Sequence, residues 1–81
     1  MKATLRQLDA VCSQLNMGVL KRTPFGVGVE RSGDEVAITR RARHPSHMDL
    51  AGVIFNGTAK ECSAYLEALG DAAVFFRPQD N

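Results

Sequence analysis

With 81 residues, the chain has room for a single domain, and one this short buries only about 60 to 65% of the surface it exposes when unfolded. Leu, Ile, Val and Phe supply 20 residues, enough to predict a folded chain, whereas two cysteines without a C-x-x-C pair fit neither a secreted disulfide scaffold nor a zinc or redox motif. The formal net charge of +1 divides into +1 over residues 1–20, +3 over 21–47 and −3 over 48–81, an asymmetry that can steer a partner or favour self-association over about 8 Å at physiological salt.

The N-terminal stretch MKATLRQLDA lacks the apolar centre of a signal peptide, and no apolar run approaches the ~20 residues of a membrane span. A reducing cytoplasm and no membrane partner are therefore expected.

Thr4 and Gln7 form a capping box, and Leu5, Leu8, Val11, Cys12 and Leu15 follow at helical spacing until Gly18, which predicts a helix over about 4–17. After Pro24, FGVGVE and EVAITRR read as a hairpin. With Ser32-Gly33 as its loop, Val29 would pair with Val36, Val27 with Ile38 and Phe25 with Arg40 on one apolar face. The opposite face then holds Gly26, Gly28, Ala37 and Thr39, nearly bare of side chains and open to close approach by another backbone, while Glu30 and Glu35 repel each other at the turn. ARHPSHMD over 42–49 reads as a polar connection interrupted by Pro45, and LAGVIF over 50–55 as a third strand.

Asn56-Gly57 suits a tight turn, Thr58 and Glu61 form a second capping box, and Ala59, Cys62, Leu66 and Leu69 space a helix over 59–69 that Gly70 should end in a left-handed conformation. The order is α-β-β-β-α: one α+β domain over 1–81, with two helices packed on one face of a three-stranded antiparallel sheet.

The densest cationic run is Arg40-Arg41-Ala42-Arg43-His44, three arginines in four residues able to reach a phosphate backbone. The α-β-β-β-α order over residues 4–70 resembles the double-stranded-RNA-binding domain, and Gly57-Thr58-Ala59-Lys60-Glu61 is similar to the start of that family's last helix. That resemblance implies the shape. The family's lysine cluster is reduced here to Lys60, and Ser32-Gly33-Asp34 replaces its Gly-Pro-x-His loop.

His44, His47 and Asp49 are metal-ligand types, but Pro45 argues against presenting the histidines on a helix, and no metal is expected. Cys12 and Cys62 both fall on core-facing stripes and should be buried and inert. No paired carboxylates, nucleophile elbow, P-loop or dinucleotide fingerprint is present, so neither catalysis nor a cofactor is expected.

Surplus apolar surface without a catalytic constellation points to a protein-interaction module, an inhibitor or adaptor that binds a larger protein and self-associates as a homodimer. The expected contact residues are Val74, Phe75 and Phe76 in an apolar tail beyond the second helix, with Gly26 and Gly28 on the bare face. In size and pattern, with its closing GTAKECSAYLEALG, the chain resembles small phage or prophage accessory proteins, which implies a bacterial host cytoplasm and a host protein as target. The alternative is nucleic-acid binding through Arg40, Arg41, Arg43 and His44.

Overall fold

A computed structural model describes residues 4–75. The elements are α1 (Leu5–Met17), β1 (Phe25–Ser32), β2 (Glu35–Ala42), a 3-10 helix (Pro45–Leu50), β3 (Gly52–Gly57) and α2 (Ala59–Phe75). The α-β-β-β-α order is as expected, and the strands form one antiparallel sheet in the order β1-β2-β3.

Both helices start on the capping boxes read from the sequence. The Gln7 N–H donates to the Thr4 hydroxyl at 3.2 Å and the Thr4 N–H to the Gln7 side chain at 3.0 Å. At α2, the Glu61 N–H donates to the Thr58 hydroxyl at 3.1 Å and the Thr58 N–H to the Glu61 carboxylate at 2.9 Å. Each box satisfies backbone donors that a helix start otherwise leaves orphaned.

The core lies between the helices and one sheet face. Leu8 and Cys12 of α1 meet Val27 and Ile38 of the sheet and Cys62 and Leu66 of α2, closed at one end by Leu20. Burying each of the larger aliphatic side chains contributes about 1.5 to 3 kcal/mol.

The hairpin departs from the expected register. Its loop is Gly33-Asp34, so Val27 faces Arg40, Val29 faces Ile38 and Ser32 faces Glu35. Gly33 has φ +63° and Asp34 does not share that sign, the II′ pattern that wants glycine first in the loop rather than second. Because the slip is two residues, every side chain keeps its expected face, and Glu30 no longer opposes Glu35.

In β3 the register shifts between Ile38 and Thr39, which face Phe55 and Val53 respectively. The extra residue, Ile54, lets two consecutive side chains, Ile54 and Phe55, both pack on the core, where the Phe55 ring stacks on Tyr65 at 4.7 Å.

Three local expectations are corrected. Asn56-Gly57 is no left-handed turn: the strand runs through it directly into the cap at Thr58. Pro45 does not prevent a helix but opens the 3-10 turn, where its missing N–H costs nothing. Gly70 does not stop α2, which continues to Phe75. A Cβ at Gly70 would lie 3.0 Å from the Leu15 side chain, so the glycine marks close approach of the two helices.

Candidate functional site

Two of the three clustered arginines are committed to the fold. Arg43 donates from Nη1 to the Lys21 carbonyl at 2.7 Å and from Nη2 to the Asn16 carbonyl at 3.1 Å, tying the end of β2 to the C-terminal turn of α1. A cation there also faces the negative end of the helix dipole. Arg40 donates from Nε to the Leu50 carbonyl at 2.6 Å, and its guanidinium lies 5.2 Å from the centre of the Phe25 ring. Arg41 is exposed on the other sheet face.

His44 caps the 3-10 helix by accepting from the Ser46 N–H, and its ring lies 6.3 Å from that of His47. Among the described residues no group of three or more His, Cys, Asp or Glu is placed to hold a metal ion.

The face that sequence reading left bare is filled from within the chain. A Cβ at Gly28 would overlap the Arg41 guanidinium, and one at Gly26 would come within 3.1 Å of the Asn16 side chain; both glycines are buried. The close approach at these positions is made by side chains of this molecule.

Asn16 and Thr23 were not singled out by sequence reading, yet they decide the fate of the β1 edge. The Asn16 side-chain amide donates to the Val27 carbonyl at 2.9 Å and accepts from the Val27 N–H at 2.8 Å, as a neighbouring strand would. The Thr23 hydroxyl accepts from the Phe25 N–H and donates to the Phe25 carbonyl. The outward-facing backbone at residues 25 and 27 is thereby occupied.

The β3 edge is different. Among the described residues it pairs with β2 alone, and its other side meets no strand. Since Val27 turns its backbone away from β2, the alternation of the ladder turns Thr39 toward β1 and leaves the N–H and C=O of Val53, opposite Thr39, facing outward. The stretch GVIFNG contains no charge and no proline, and Val53 is 59% exposed. Charges and prolines are the usual protection of such edges.

Val74 and Phe75 lie on the last turn of α2, 55% and 82% exposed, rather than on an extended tail; Phe76 lies outside the described residues. Cys12 and Cys62 are both buried and free. Burial pushes the Cys12 thiol up to about 11, with Asp9 adding to the shift and Arg41 opposing it, and burial likewise raises Cys62, whose Sγ lies 3.3 Å from the Val36 carbonyl. Neither is held as a thiolate nucleophile.

No helix among the described residues is long and apolar enough to cross a membrane. No protein family, curated protein or solved structure matches the chain.

Proposed function

We propose that this protein is a small protein-binding module that recruits through the outer edge of β3 and self-associates there, β3 against β3 across a two-fold axis. The observation that carries the reading is the unequal treatment of the two sheet edges: Asn16 and Thr23 occupy β1 at Val27 and Phe25 and its far half carries Glu30 and Arg31, while β3 offers outward-facing backbone at Val53 with no charged or proline residue along the strand. An isologous pairing extends the sheet continuously, and Val53 supplies an apolar contact on the face away from the helices. Val74 and Phe75 add exposed apolar surface at the end of α2 for a larger partner, as an inhibitor or adaptor needs. Two buried free thiols suit a reducing bacterial cytoplasm as the setting.

Nucleic-acid binding has less support, since Arg40 and Arg43 already serve the fold and leave Arg41 and His44 as the exposed remainder of that cluster.

The deciding experiment is sedimentation of Val53→Pro beside the unmodified protein. The Val53 N–H serves no bond within the sheet, so proline removes an edge donor at little internal cost. A dimer that becomes a monomer with unchanged circular dichroism supports the reading. A monomer in both cases, or a dimer in both, overturns it.

A further inference from the structure

On the helix-bearing side of the sheet, between the C-terminal half of α2 and the turn after α1, lies a cleft of about 270 Å³. Its walls are apolar: Leu20, Val27, Ile54 and Leu69, with the rings of Phe25 and Tyr65. Among the described residues, Arg40 is the only charged one that lines it. Its guanidinium is fixed from two sides, by the Nε bond to the Leu50 carbonyl and by the Phe25 ring. Both terminal nitrogens, Nη1 and Nη2, have no hydrogen-bond partner among the described residues, and neither has the Tyr65 hydroxyl. The remaining lining hydroxyl, that of Thr23, shares its one proton between the Leu20 and Phe25 carbonyls.

A preoriented cationic fork at a small apolar cleft with no acidic residue in its described lining selects one chemistry. We propose that the cleft binds a free monocarboxylic acid with a compact apolar body, its carboxylate on the Nη nitrogens of Arg40 and its body between Phe25, Tyr65 and Leu69. The guanidinium matches a carboxylate in plane and in donor spacing, and holding it in advance lowers the entropy lost on binding. The volume sets the size. At about 30 Å³ per water-sized group, the cleft takes roughly nine such groups, the size of an eight-carbon acid. The site is separate from the outer edge of β3 and does not depend on self-association.

The probes are octanoate, octanamide and octylamine, titrated into the full chain and followed by amide chemical shifts. Octanoate should give saturable shifts centred on Leu20, Phe25, Tyr65 and Leu69. The neutral amide should bind at least about tenfold more weakly, the loss expected when a charge-assisted contact is removed, and the amine should not saturate. Arg40→Gln should lower octanoate affinity by about the same factor while leaving octanamide unchanged, with Arg40→Lys in between. Val53→Pro should bind octanoate like the unmodified protein. Equal affinity for acid and amide, shifts that follow protein dilution rather than ligand, or no saturation by octanoate would each overturn the proposal; the comparison of the three probes on the unmodified protein does so even if Arg40→Gln fails to fold.

Discussion

The two edges of the sheet are built from similar strands and meet opposite fates. Both β1 and β3 contain glycine and run apolar through their middle, yet β1 is shielded at Phe25 and Val27 by side chains from α1 and the turn behind it, while β3 meets no further strand on its outer side among the described residues. The difference shows that an edge need not carry its own protection. A helix end packed alongside a strand can supply the missing donor and acceptor from one amide side chain, and the first half of the strand, FGVGV, is then free to remain glycine-rich and uncharged.

The largest expected effect comes from removing that shield. Asn16→Ala leaves the N–H and C=O of the buried Val27 without partners, which should cost about 2 to 4 kcal/mol in chemical denaturation and bring new self-association through β1. A variant that denatures like the unmodified protein would show that water replaces the amide and that the edges are less different than the geometry implies.

Next is Arg43→Ala, which frees the Asn16 and Lys21 carbonyls and loosens the backbone that presents the Asn16 amide. A loss of about 1 to 2 kcal/mol is expected, against a change within about 0.5 kcal/mol for Arg41→Ala. Equal losses for the two arginines would contradict the division between a structural and an exposed cation. The same pair also tests nucleic-acid binding: retention of RNA at low salt that falls with Arg41→Ala would restore that reading.

Thr23→Val removes one hydroxyl from the Phe25 end of the β1 edge and should cost about 1 kcal/mol, read as a lower denaturation midpoint without a change in slope.

The smallest effect belongs to the β3 side, at the junction of β3 and α2. Hydrogen bonding from Thr58, its backbone N–H first, holds the Glu61 carboxyl below its ordinary value of 4.5. A lowered folded pKa means that its stabilisation is complete above 4.5 and is lost as the pH falls through the lower folded value. Helical circular dichroism should show a shallow loss in that range that Glu61→Gln lacks. The same slope in both proteins would remove Glu61 as its source.

Element order, both capping boxes, the face of every hairpin side chain and the burial of Cys12 and Cys62 could be read directly from the sequence, because each rests on local spacing. What could not be read were the choices made by tertiary contact. Gly33 had two workable loop positions, and it takes the first, where it alone carries the positive φ and Ser32 stays in the strand. Gly70 carried the signal of a helix stop, but packing against Leu15 used its missing side chain instead and carried α2 on to Phe75, turning an expected apolar tail into a helical turn. The arginine run looked like a solvent-facing cluster, since nothing nearby in sequence indicates that Arg43 reaches carbonyls 22 and 27 positions earlier. Asn16 was equally silent, a polar residue near a helix end whose partner lies in another element.

The pairing of Asn16 with Val27 also has a bearing on the order of assembly. The two residues are 11 apart in sequence, a separation that closes in about 10 to 100 ns in a flexible chain. The contact between Cys62 and Val36, which helps seat α2, spans 26. Blocking of the β1 edge therefore requires only the first half of the chain, and a nascent polypeptide emerging from the ribosome can shield that edge before the residues of β3 have been made. The first edge can thus close before the second exists, so the two need never be open to a neighbouring chain together.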